Sequence, residues 1–216
     1  VYSRYCNAAE HRTTEPVPLI ARPMPVELAR EAFALYMEYP GAMSVFCDGR
    51  TYRDTVAMER FARRNARRGS TEARQPNDGR FTVVRDLTEW MSRHAHEVEK
   101  FCMFFDTAEQ AQAALPRFRA LAGAEVVQGS PDNIELTAQG VDKGTALLAL
   151  ADLLHIPREA TVAVGDSEND RAMLEKAGIA AVMANGMPHI QALADLVSTN
   201  DCDHDGVAEL FERLGL

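Results

Sequence analysis

Apolar positions change their rhythm near residue 140. In the first part of the chain Val26, Ala29, Ala32, Phe33, Leu35 and Tyr36 recur at helical spacing. They predict an amphipathic helix over residues 25–39, ended by Pro40-Gly41. Residues 43–47 read as a short apolar strand before an Asp48-Gly49 turn. A helix over 56–67 follows, then a loop over 69–78 rich in Ser, Thr, Asn, Gly and Pro. Strands are predicted at 81–84 and 100–105, and a helix over 108–122. Paired strands at 125–127 and 133–136 flank Gly129-Ser130-Pro131.

Beyond that point helices and fully apolar strands alternate. Residues 144–154 read as a helix. Residues 161–164 read as a strand buried on both faces, as in parallel sheets. A helix over 169–176 follows, with Gly178 as its C′ residue. A second buried strand covers 179–183, and Pro188 opens a short helix to residue 194. Residues 196–198 read as a strand, and Asp205 is expected to cap a final helix over 206–214. This order predicts an α/β chain with a doubly wound parallel sheet.

Charge follows the same division. The net charge is −9, and residues 136–216 carry 5 Lys+Arg against 13 Asp+Glu. That half argues against nucleic acid as a partner, because phosphate backbones need Lys and Arg. It can still handle a phosphate through a divalent cation. No apolar run approaches the ~18 residues of a membrane span. Cys6, Cys47, Cys102 and Cys202 are dispersed, which suits free thiols and a cytoplasmic location. Arg60, Arg63, Arg64, Arg67 and Arg68 form a basic cluster, either a solvated helix face or a patch for an anion. The basic residues are otherwise notable for only three lysines: Lys100, Lys143 and Lys176.

The densest chemistry lies in Gly165-Asp166-Ser167-Glu168-Asn169-Asp170. A strand ends, a glycine follows and a carboxylate comes next. Ligands bind outside the carboxyl ends of strands in open α/β sheets. Two carboxylates and an amide oxygen suit Mg²⁺. Asp and Asn also cap helices and make turns, so spacing alone leaves a structural reading open. Lys143 opens a helix, where a cation opposes the macrodipole. A phosphate sharing the pocket would explain it, and a solvated surface lysine is the plain alternative.

Four segments together resemble a known family: Gly140-Val141-Asp142-Lys143-Gly144, the 165–170 run, Val182-Met183-Ala184-Asn185-Gly186, and Asp205-Gly206-Val207-Ala208. They resemble the C-terminal half of the haloacid dehalogenase superfamily, in particular its Cof-type phosphatases with a large inserted cap. Asn7-Ala8-Ala9 resembles the Asn-Gly-Ala after the third core strand. The resemblance implies a Rossmann-like core from residues 1–24 and 136–216, with an α/β cap over 25–135. It implies a Mg²⁺-dependent phosphomonoesterase acting on small phosphorylated metabolites, with no nucleic-acid or membrane partner. Asp166 resembles the Mg²⁺ ligand. Asp170 resembles the second acidic residue, which supports the metal and holds the lysine. Asn169 and Asn185 resemble phosphate-binding positions, and Lys143 the lysine that neutralises nucleophile and phosphoryl group. The implied chemistry passes through an aspartyl-phosphate.

The family's Asp-x-Asp-Gly-Thr segment, which carries the nucleophile and the general acid/base, has no counterpart here. Phe46-Cys47-Asp48-Gly49 and Phe104-Phe105-Asp106-Thr107 each hold one Asp in a cap-like context. The phosphate-binding Ser/Thr of the second core strand is also missing. The sequence opens with Val1, its first Met is Met24, and the chain is expected to begin after both strands. That expectation makes the given chain a truncated, inactive piece of a phosphatase. The alternative is a non-catalytic protein that binds or senses a phosphorylated ligand. Three further patterns are read as structural: the EF-hand-like run from Asp201 to Glu212, the His94/His96 pair, and Trp90.

Overall fold

The computed structural model describes residues 2–3, 17–67 and 81–216. Asn7-Ala8-Ala9, Cys6, Arg68 and the loop expected over 69–78 lie outside the described residues. The chain divides into two units, Val1–Val126 with Pro131–Gln139, and Val127–Ser130 with Gly140–Leu216.

In the first unit a short antiparallel pair, β1 (Tyr2–Ser3) and β2 (Val17–Pro18), precedes the main fold. The helical spacing of the apolar residues produces α1 (Val26–Met37). Then β3 (Gly41–Cys47) and β4 (Arg50–Asp54) form a hairpin around Asp48-Gly49. The chain continues through α2 (Thr55–Arg67), β5 (Thr82–Val84), α3 (Leu87–His94), β6 (Val98–Phe105), α4 (Ala108–Arg119), β7 (Ala124–Val127) and β8 (Asn133–Ala138). Six strands make one sheet in the order β5-β4-β3-β6-β8-β7. Strand alternation sends Met43, Val45, Phe101, Met103, Phe105, Ile134 and Leu136 into a core shared with α1, α3 and α4. At its centre the Tyr36 ring lies 5.7 Å from Phe101 and 4.3 Å from Phe118, and its hydroxyl donates to Ile134 O at 3.1 Å. Thr107 and Gln110 form a capping box that starts α4, so Asp106 sits in a strand-to-helix turn. Asp48 sits in the hairpin turn with a left-handed backbone.

Two arginines of the α2 cluster are engaged within the fold. Arg60 donates to Gly41 O, while Arg64 pairs with Asp132 and lies over the Phe104 ring. Arg63 and Arg67 remain exposed. Trp90 stacks between Tyr52 and His94, and His94 Nδ1 lies 2.8 Å from a Glu97 carboxylate oxygen.

The second unit carries α5 (Lys143–Leu153), β9 (Val162–Gly165), α6 (Arg171–Lys176), β10 (Ile179–Val182), α7 (Pro188–Gln191), β11 (Leu196–Val197) and α8 (Gly206–Leu214). Its three strands are parallel, in the order β11-β10-β9. The succession β9-α6-β10-α7-β11 runs in one direction, as in one half of a Rossmann-like sheet. Val162 and Val164 are half-buried rather than enclosed on both faces. The reason is β9's place at the edge: among the described residues no strand pairs with its outer side.

Three local expectations need correction. Gly178 is not a left-handed C′ residue. A Cβ there would lie 2.5 Å from Arg158 O and 2.6 Å from Glu159 O, so close backbone approach demands glycine. Asp205 takes the left-handed conformation and makes no side-chain cap to α8. The helix expected from Asn169 starts with a 3₁₀ turn, Glu168–Asp170, before α6. The Asp201–Glu212 run is preceded by β11, not by a helix, and α8 occupies its second half, so it is no EF-hand.

Candidate functional site

β9 ends at Gly165 and delivers Asp166 to the carboxyl edge of the sheet. The 3₁₀ turn then brings Asp170 back beneath it. Asp170 Oδ2 accepts from the backbone N–H of Asp166 at 3.0 Å and of Ser167 at 3.3 Å. The Asp170 side chain therefore shapes the loop that presents Asp166. Its other oxygen, Oδ1, accepts from Lys143 Nζ at 2.6 Å. Asp170 is only 5% exposed, whereas Asp166 is open to solvent.

These groups line a cleft of about 500 Å³ with Ser167, Asn169, Met173, Met183, Cys202 and Val207. Four expected residues, Lys143, Asp166, Asn169 and Asp170, are thus brought together. Asn185 is not among the cleft-lining residues. Its Oδ1 accepts from Cys202 N–H at 3.1 Å and fixes the 201–205 loop whose Cys202 reaches the cleft. Glu168 turns away to Arg171 and His189.

Sequence reasoning passed over Ser167, whose hydroxyl donates to Asn169 Oδ1 at 2.9 Å and orients that amide. Its place inside the 165–170 run was the available signal. It also passed over Met173 and Met183, which give the cleft an apolar wall. Their side chains face it only because α6 and β10 return to the β9 edge.

Electrostatics separate the two carboxyls. Desolvation in the cleft, and then the neighbouring Asp170 carboxylate, push Asp166 above the usual aspartate range. Burial works to raise Asp170 as well, but the Lys143 ammonium and the two backbone N–H groups outweigh it and hold Asp170 low. A carboxyl that costs energy to ionise beside a fixed anion is relieved by a cation. The donors present are oxygens, as a hard divalent cation prefers. Among the described residues no group of three or more His, Cys, Asp or Glu side chains stands ready to hold a metal. Asp166 has the carboxylate to offer, because both Asp170 oxygens are engaged.

Comparison with known proteins agrees with this fold. Residues 13–211 match the family described as haloacid dehalogenase-like hydrolase. Phosphatase YwpJ of Bacillus subtilis is 39% identical over 106 residues, which cover 49% of this chain and 37% of that protein. An HMP-PP phosphatase of Cronobacter sakazakii is 33% identical over 124 residues, 56% of this chain and 46% of that one. The chain thus spans less than half the length of these relatives. The solved structure of a haloacid dehalogenase-like hydrolase from B. subtilis superposes with a TM-score of 0.71 at 27% identity, over 89% of this chain and 72% of that one. Among the described residues no helix is long and apolar enough to cross a membrane. The extent of the family match, carried on a parallel half-sheet with Asp166 at its carboxyl edge, makes this chain a member of the haloacid dehalogenase-like hydrolases.

Proposed function

We propose that this chain is part of a Cof-type, Mg²⁺-dependent phosphatase that hydrolyses small phosphorylated metabolites. The observation that carries the reading is an exposed Asp166 beside the ion pair of buried Asp170 with Lys143 in one cleft. A bound Mg²⁺ supplies positive charge to the phosphate oxygens. In this reading Asp166 holds the cation, and Asp170 supports it from behind through the loop N–H groups. Lys143 offers its ammonium to the transferring phosphoryl group, where positive charge stabilises the transition state. Its side chain is 48% exposed, so the ammonium can engage Asp170 and a ligand together. Asn169, oriented by Ser167, donates to a phosphate oxygen. Asn185 shapes the rim through Cys202.

The cleft's carboxylates among the described residues are Asp166 and Asp170, and both have roles. In this reading neither is left to act as the nucleophile. The same observation favours a second reading, a chain that binds a phosphorylated ligand without turnover. Hydrolysis of phosphate esters by the complete gene product separates the two. The first reading predicts Mg²⁺-dependent turnover that Asp166→Ala removes. Turnover unchanged by that substitution contradicts it, and tight ligand binding without turnover favours the second.

A further inference from the structure

Lys143 reaches Asp170 because the first turn of α5 is pinned to α6 at several points. Asp142 caps α5 by accepting from Thr145 N–H at 2.6 Å. Lys176, in the last turn of α6, places its Nζ 2.9 Å and 3.1 Å from the two oxygens of Asp142. The next residue but one, Gly144, lies so close to α6 that a Cβ would overlap the Ala172 carbonyl. The charges are reciprocal. The α5 terminus offers Asp142 then Lys143, and the α6 segment offers Asp170 at one end and Lys176 at the other. Exchanging partners would set like charges together, so the two pairs admit one register.

From this we infer that Lys176 is a positioning residue for Lys143, acting through Asp142. The inference rests on the reading that Lys143 serves the phosphoryl group. Lys176 sits over the C-terminal end of α6, where a cation is favoured. Its ion pair ties the capping Asp142 to α6, and the tied, capped turn fixes the direction in which the Lys143 stem leaves the helix. Without Lys176, Asp142 keeps its cap but loses its tie to α6. The turn can then shift, and even a displacement of about 1 Å at a catalytic group is costly.

The three lysines make this directly observable in the 216-residue chain. Lysine-labelled protein at low temperature gives one ammonium cross-peak for each Nζ held in a lasting ion pair. Lys176→Met is expected to abolish the Lys143 cross-peak while the amide spectrum of β9 and β10 stays in place. Lys176→Arg is expected to restore it, and Asp142→Asn, which keeps the cap and removes the charge, to abolish it again. A general packing role would not be rescued this way. Survival of the Lys143 cross-peak in both Lys176→Met and Asp142→Asn overturns the inference, as does its absence from the wild type. Should Lys176→Met fail to fold, Asp142→Asn alone decides. The response of Lys143 to added inorganic phosphate in the wild type reports on the phosphoryl-site reading only, so the two claims fail separately.

Discussion

The two units spend their apolar residues differently. The first encloses a broad core built from aromatic and long aliphatic side chains, including Tyr36, Phe101, Phe105 and Phe118. The second has two small clusters, one of Ala163, Leu174, Ala177, Ala180, Val182 and Ile190, the other of Ala181, Met183 and Leu210. Alanines suit close helix–sheet approach but bury little area each. The second unit also leaves Leu153, Leu154, Val207 and Phe211 exposed, with β9 at the sheet edge. The candidate chemistry therefore sits on the more lightly packed unit. There the geometry is held by ion pairs and backbone hydrogen bonds more than by a deep core.

The largest effect that would sharpen this contrast is expected in the first unit. Phe101→Ala should cost about 3–5 kcal/mol, the range for emptying an aromatic site in a close-packed core. Trp90 is the only tryptophan and packs on this core, so its fluorescence in a urea titration reads the loss. A midpoint shift of less than about 1 kcal/mol would show that the core collapses around the gap.

In the second unit Gly144→Ala should cost about 1–3 kcal/mol, because the new methyl meets a backbone carbonyl that cannot rotate away. Amide exchange in α5 and α6 is the appropriate measurement. Unchanged protection in both helices would mean that their close approach is not what fixes them.

A smaller effect concerns the loop after β11. Glu209 accepts from Thr199 N–H and Asn200 N–H and pairs with Arg213. These bonds, the backbone ones first, bring its carboxyl down to about 2 from 4.5. A depressed carboxyl contributes stability that is complete above its unfolded value and is lost as pH falls from about 4.5 through about 2. The Thr199 and Asn200 amides should lose protection in that window in the wild type. Glu209→Gln should show no such step, and an identical step in the variant would contradict the assignment.

The sequence made much of this legible, for physical reasons. Helices with one apolar face, such as α1, and strands flanked by turn residues, such as β9, are set by local pattern. Asp166 was visible because a strand, a glycine and a carboxylate in succession place a side chain at a sheet edge. The rest depended on partners distant along the chain. Lys176 pairs with Asp142 across 34 positions, and no local rule links them. Gly178 read as a helix stop because its neighbours Arg158 and Glu159 belong to another segment. Asn185 carried the family pattern, but the direction of its amide depends on where the 201–205 loop folds back.

The central claim is that the edge of β9 is a phosphate site organised by Asp166, Asp170 and Lys143. A titration of the isotope-labelled chain with inorganic phosphate in the presence of Mg²⁺ tests it most directly. The account predicts the largest amide shifts from Gly165 to Asn169 and at Lys143, with Asp166→Ala removing the Mg²⁺ dependence. Saturable shifts confined to the first unit, with the 165–170 loop unmoved, would contradict it.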